Sequence, residues 1–383
     1  MILTRMGAYL PEFRAPRNRV RRRGRLRYSP AVMPSRMLLG ALLVFVALAT
    51  RAHAAPPAGG PRDYVASIRP SPELQAFLDS TVQSLEAADP ALRRADVRMA
   101  LLDMSHGDPP LLAQRSGDTP IYPASVVKFV YLMAAYAWQE EGKRRIDNEM
   151  DSLLTQMIHN SSNQATREVF ARLTGTEPGP ELPPAAYEAF RERRLSVERW
   201  LHTLGITDLH CVNPTYDGDG DLFGRDKQFL SDRNVAGGLP KSDGEFANRN
   251  AMTAVGTARL LALLATDRAL SPESSAAVRL RMRRDPVEQP HLVHRIAGGA
   301  ARLPHLDVYS KSGTWGPIYA DAGIIHHVSG RQFALVVYTA GHPPYHGDFI
   351  ADLTYRCAQH LLASPAGAGP VIERSFGVGQ EEN

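Results

Sequence analysis

The order of predicted elements points to a two-lobed fold: an α/β lobe with a five-stranded antiparallel sheet and flanking helices, and an all-helical lobe inserted into it. Three observations carry this expectation. Strand-like segments cluster near the start of the chain and again near its end, and the stretch between them reads mainly as helix. Short turns join the late strands, which favours antiparallel pairing, and the two early strands are expected to join the same sheet. A helix precedes the first cluster and another follows the last, so both are available to cover the sheet. The expected bounds are residues 1–54 as a targeting segment, 55–69 as a flexible start, 70–118 with 301–365 as the α/β lobe, 119–300 as the helical lobe, and 366–383 as a flexible tail.

Each element has a local reason. Ser71-Pro72-Glu73 supplies an N-cap and an N1 proline, and Leu74, Phe77, Leu78 and Val82 recur at helical spacing. Val97 to Met104 and Leu111 to Arg115 read as strands around a turn at Gly107-Asp108-Pro109. A helix from about Ser125 is apolar nearly all round, as a buried central helix would be. Helical patterns from Glu149 to Gly205 are broken by the proline-rich stretch 175–184. Residues 208–250 are rich in Gly and Asp and show no clear period, and helices are expected at Met252 to Thr266 and Ser271 to Arg283. Val308 to Lys311, Ile318 to Val328 and Gln332 to Thr339 read as strands, with Ser329-Gly330 closing a hairpin before a helix at Asp348 to Leu362. A site is expected between the lobes.

Charge narrows the function. The chain has 383 residues and a net charge of +4, but residues 1–54 hold eleven arginines against one acid, Glu12, a local +10. Subtracting that leaves −6 on residues 55–383, so the basic character belongs to the leader and nucleic-acid binding is disfavoured. Arg36, the apolar run Met37 to Thr50 and Ala52-His53-Ala54 make a secretory signal with cleavage expected after Ala54, and hence a periplasmic or secreted product. The run is short for a membrane span, which needs about 20 residues. No cysteine follows it to carry a lipid. The only cysteines, Cys211 and Cys357, are either a disulfide or two buried thiols; spacing does not decide between them.

Three motifs carry chemistry: Ser125-Val126-Val127-Lys128, Ser161-Ser162-Asn163, and Lys311-Ser312-Gly313-Thr314. A hydroxyl becomes a useful nucleophile only when a base takes its proton, and Lys128 lies one turn along the same helix face as Ser125. An ammonium can act as that base only if burial or a second cation such as Lys311 lowers its pKa. Ser161, between two lysines, offers a hydroxyl to relay a proton to a departing amine, and Asn163 an amide to hold a substrate carbonyl. Gly313 lets a substrate approach a strand edge, where the backbone N–H groups of Thr314 and Ser125 could form an oxyanion hole. Lys311, Ser312 and Thr314 suit a substrate carboxylate. Each motif also has a plainer reading: a capping serine with a surface lysine, a helix N-cap box at 160–163, and a polar strand end.

Taken together, and with Tyr122-Pro123-Ala124 ahead of Ser125 and Asp321-Ala322-Gly323 on the next strand, the motifs resemble the class A β-lactamases and related penicillin-binding serine hydrolases. The resemblance spans roughly 70–363. It implies acyl-enzyme chemistry on β-lactams or D-Ala-D-Ala-like peptides, with Ser125 as nucleophile, Lys128 as base, Ser161 as proton relay and Lys311 as anchor. No cofactor, metal or nucleic acid is implied, and a monomer is expected. The chain departs from that pattern at Ser162, where an acid is usual. It also lacks a Glu-x-x-x-Asn motif between Leu204-Gly205 and Met252, since Glu245 stands at the wrong spacing from Asn248 and Asn250. Those departures favour a D,D-peptidase- or esterase-like enzyme, or a non-catalytic peptidoglycan or β-lactam binder, as alternatives to a hydrolysing β-lactamase. Asp217, Asp219 and Asp221 resemble the start of a calcium loop, but position 12 is Gln228. His342 to His346 contains two prolines and His326-His327 lies in a strand, so neither suggests a metal site.

Overall fold

The computed structural model describes residues 59–362, except 106, 217, 219, 221, 236 and 238–247. The leader, the tail, the three aspartates of the calcium-like loop and Glu245 lie outside the described residues. The strands are β1 (Arg69–Pro70), β2 (Asp96–Asp103), β3 (Leu111–Arg115), β4 (Leu209–His210), β5 (Ala251–Met252), β6 (Leu306–Trp315), β7 (Ile318–His327) and β8 (Gln332–Ala340). The helices are α1 (Pro61–Ser67), α2 (Pro72–Ala88), α3 (Lys128–Glu140), α4 (Asn148–His159), α5 (Asn163–Thr174), α6 (Pro184–Arg194), α7 (Ser196–Thr203), α8 (Gly224–Leu230), α9 (Ala254–Ala265), α10 (Pro272–Met282), α11 (Ile296–Ala300) and α12 (Phe349–Leu362).

The main sheet runs β1-β3-β2-β8-β7-β6 among the described residues. It therefore has six strands rather than the expected five. The extra strand is β1, two residues paired parallel to β3. A two-residue strand carries too little side-chain periodicity to be seen in sequence. The other pairings in this sheet are antiparallel, as the short connections require. Pro61–Ser67 is helical where composition suggests a flexible start, with Asp63 Oδ2 accepting the N–H of Gly60 at 3.1 Å. Helix α8 and strand β4 likewise lie within the stretch 208–250 that lacks a period, and β5, which pairs with β4, follows it directly.

The central strands are buried on both faces. Ala320, Ala322 and Ile324 of β7, with Ala334, Val336 and Tyr338 of β8, join the core that also holds α3 and α9. Their alternate neighbours Tyr319, Ile325, Phe333, Leu335 and Val337 join a second core under α2, α11 and α12. Covering both faces explains why these antiparallel strands read as near-continuous apolar runs. It also separates the cysteines: Cys211 lies in the first core, Cys357 in the second, and both are free and buried. Helix α3 is buried from Lys128 to Trp138, matching its all-round apolar sequence. Among the described residues no helix is long and apolar enough to cross a membrane.

Candidate active site

Ser125 does not open the α-helix directly. It lies in a 3₁₀ turn at Ala124–Val127, and α3 starts at Lys128, whose N–H bonds the Ser125 carbonyl. Ala124 has φ +48°, a left-handed conformation that costs a non-glycine residue about 1–2 kcal/mol. Such strain persists where the surroundings over-determine it, commonly at functional sites. Here the surroundings include β6. A Cβ placed on Gly313 would lie 2.8 Å from the Pro123 carbonyl oxygen and 3.1 Å from the Ser125 nitrogen. Gly313→Ala is expected to push the strand edge off the Ser125 turn and, on the expectation that Ser125 is a nucleophile, to lower its acylation about 10- to 100-fold, as misplacement by about 1 Å does elsewhere. A stopped-flow acylation rate checks this; a rate within twofold of the native value would show that the close approach is unimportant.

Ser161 also has a positive φ, +53°. Its neighbour Ser162 is the N-cap of α5, accepting the N–H of Ala165 at 3.1 Å. The capping and chemical roles are thus divided between adjacent serines: the middle position that usually holds an acid does the capping, and Ser161 and Asn163 are left to face the amines. Lys128 Nζ donates to the Ser161 carbonyl at 2.5 Å and to Asn163 Oδ1 at 2.8 Å, and lies 3.4 Å from Ser161 Oγ. Lys311 Nζ is 3.0 Å from the same Oγ and donates to the Ser312 carbonyl at 2.8 Å. The amine of Lys128 is therefore hydrogen-bonded to the Ser161 segment rather than to Ser125.

Both lysines are buried, at 0% and 2% exposure. Burial pulls the Lys128 pKa down to about 7, and it pulls Lys311 well below its usual range, with Lys128 and Arg284 repelling it further. Lys311, Arg284 and Arg295 act on one buried carboxylate, Asp321, and Lys128 adjoins Lys311. Burial raises the Asp321 pKa and Arg295 opposes the rise most. Asp321 is held by the N–H groups of Ile296 at 3.1 Å and Ala322 at 3.0 Å. Arg295 stacks on the Tyr319 ring and donates to Thr314 Oγ1 at 2.7 Å and to the Ala320 carbonyl at 2.5 Å, fixing the end of β6.

These elements form a cleft of about 720 Å³ lined by Ser125, Ser161, Asn163, Lys311, Ser312 and Thr314, and also by Arg284 and Gln289. Three separate segments are thus brought to one cavity wall, and Gly313 underlies it. Sequence reasoning did not single out Arg284 and Arg295, because an arginine in a loop carries no signal of burial. No aspartate or glutamate lines the cleft among the described residues. The two asparagines weighed with Glu245 are structural ties. Asn250 Oδ1 accepts from Val212 and Asn213 at 3.0 and 2.9 Å, and Asn248 Nδ2 donates to the Phe229 carbonyl at 2.7 Å. No cluster of three metal-ligating side chains occurs among the described residues.

Residues 193–361 match the model of the Beta-lactamase enzyme family; this segment contains Lys311 to Thr314 and begins after the other two motifs. No curated protein sequence matches the chain. Among solved structures it is similar to a β-lactamase from Sphaerobacter thermophilus DSM 20745, with TM-score 0.53, 18% identity, and coverage of 76% of this chain and 99% of that one. It is also similar to a PBP-A mutant solved as an acyl-enzyme complex with penicillin G, with TM-score 0.51, 16% identity, and coverage of 76% and 97%. For the TLA-1 extended-spectrum β-lactamase the TM-score is 0.53 and the identity 16%, over 75% and 100%. At these identities the likeness speaks for the fold, which is that of the β-lactamases and transpeptidases.

Proposed function

We propose that this chain, whose residues 193–361 match the Beta-lactamase enzyme family and whose fold is that of the β-lactamases and transpeptidases, is a serine hydrolase of that kind and forms an acyl-enzyme at Ser125 with β-lactams or D-Ala-D-Ala-like peptides, outside the cytoplasm. The observation that carries this reading is the Ser161 hydroxyl between two buried amines on the wall that holds Ser125. A neutral Lys128 uses two N–H donors on the Ser161 carbonyl and Asn163 Oδ1, which leaves its lone pair to accept the Ser125 proton. Ser125 Oγ then bonds to the substrate carbonyl carbon, and the developing oxyanion is received by the backbone N–H groups of Ser125 and Thr314. As the C–N bond breaks, Ser161 Oγ gives its proton to the departing nitrogen and regains one from the lysine side. A substrate carboxylate held by Lys311, Ser312 and Thr314 favours the protonated form of Lys311. That charge, coupled to Lys128, opposes protonation of the base.

Release of the acyl group requires an activated water. The absence of a Glu-x-x-x-Asn motif between Leu204-Gly205 and Met252 favours a long-lived adduct, as in a penicillin-binding protein, over fast hydrolysis. Incubation with a fluorescent penicillin is expected to label the native chain covalently and to leave Ser125→Ala unlabelled. Label retained by that variant would refute the reading. The decay of the adduct, followed against turnover of a chromogenic cephalosporin, separates slow acylator from hydrolase.

A further inference from the structure

Deepening that reading, and resting on it for the acylation step, we propose that the cleft selects dianionic substrates: one carboxylate at the Lys311 end, and a second anionic group at Arg284. Arg284 is buried at 8% exposure, yet it lines the cleft. Its Nε donates to the Ser310 carbonyl at 3.0 Å and its Nη2 to the Ile158 carbonyl at 2.9 Å, tying the end of α4 to β6. Both partners are neutral carbonyls, and among the described residues no salt bridge compensates its charge. The fork of the guanidinium is thereby held rigid by two anchors, while Nη1 has no hydrogen-bond acceptor among the described residues. A pre-oriented, partly desolvated guanidinium is well suited to a planar carboxylate or a phosphate-like group.

The charge balance supports a second anion. Arg284 and Arg295 share the Asp321 field with Lys311, whose own charge burial disfavours, so one carboxylate already faces two permanent cations. A single substrate carboxylate at Lys311 leaves that excess in place, and desolvated uncompensated charge is costly. Gln289 also lines the cleft, and its Oε1 is buried without a partner, an acceptor for an N–H carried by the same substituent. A cleft of about 720 Å³ is within the range of pockets that take drug-sized ligands, so a side chain reaching Arg284 has room. The substrate class is therefore an acyl donor with an amide-linked side chain that ends in an acid, such as an α-carboxy penicillin or an acidic stem peptide.

The test compares second-order acylation rates of the full chain with benzylpenicillin and with its α-carboxy analogue, which differ by one carboxylate. The dianionic compound is expected to react about tenfold faster, the equivalent of about 1.4 kcal/mol, and Arg284→Gln is expected to bring the ratio to near one. Equal rates in the native chain, or a preference that survives in Arg284→Gln, would overturn the proposal. Should Arg284→Gln fail to fold, Arg284→Lys decides. A fork-specific contact predicts at least a roughly threefold loss of the ratio with the charge kept, and an unchanged ratio counts against the site. A second readout does not depend on acylation: glutarate should raise the melting temperature more than butyrate at equal concentration. Equal shifts would also overturn the proposal. If neither penicillin labels Ser125, the acyl-enzyme reading has failed, and the thermal comparison alone judges the anion site.

Discussion

Lys128→Met is expected to lower the rate of Ser125 acylation by about 10³- to 10⁴-fold, the usual scale for loss of a positioned general base. The same substitution should leave the melting temperature unchanged or raise it. The side chain is fully buried, and desolvation is the cause of its lowered pKa. An apolar chain of similar length removes that penalty, and replacing buried charge by packed hydrocarbon is often neutral or stabilising. Opposite effects on rate and stability would mark a residue kept for chemistry. Lys128→Arg should be as slow as Lys128→Met, because a guanidinium keeps its proton. The sign of the pH dependence follows from which form acts. In the proposed mechanism the neutral amine is the base, so native acylation should rise with pH through about 7 and then level off. A flat profile across that range, or a Met variant within tenfold of the native rate, would exclude Lys128 as the base.

Arg194→Met is expected to cost about 3–5 kcal/mol of stability, the range for breaking a buried ion pair from one side. Arg194 is 1% exposed and pairs with Asp226 at 2.7 Å. It also donates to the Val212 carbonyl at 2.9 Å and to Asn213 Oδ1 at 3.1 Å. Its guanidinium lies 5.2–5.3 Å from the ring centroids of Phe170, Phe190 and Phe229. One residue of α6 thus anchors the segment that follows β4 to α8, and removal would strand Asp226 as a buried unpaired carboxylate. At 2–4 °C per kcal/mol for a domain somewhat smaller than this, the melting temperature should fall by roughly 10 °C. Adding Asp226→Asn should recover part of the loss, since the orphaned charge goes with it. A fall of under 2 °C in the single variant would show that the pair is not a structural anchor. The site should feel this change indirectly. Asn163 Nδ2 donates to the Tyr216 carbonyl at 3.3 Å within the anchored segment, and Asn163 in turn holds Lys128.

Much of the fold was legible because its elements are long and strongly patterned. Ser71 caps α2 through the Leu74 N–H as its sequence implies, and β2, β3, β7, β8 and α12 lie within a residue or two of their expected ends. The misses are short or aperiodic. Strand β1 has two residues, and α8 lies in a Gly/Asp-rich stretch where Asp226, Phe229 and Leu230 are the buried positions. Strand β6 extends beyond Lys311 to Trp315, because pairing with β7 continues through Ser312↔Asp321 and Gly313↔Ala320. Neighbouring polar residues hid that continuation.

For the site, residue types and chain order by themselves determined that Ser125, Lys128, Ser161, Asn163 and Lys311 belong together. Side-chain chemistry and helical spacing are local properties, readable over a few residues. Only the tertiary structure decided that Ser161 lies between the amines while Ser162 caps a helix, that both lysines are stripped of water, and that Arg284 and Arg295 join them. The physical reason is that desolvation, positive φ and electrostatic crowding depend on atoms contributed by distant segments. Lys311 meets Ser161 across 150 positions, a contact no local pattern encodes.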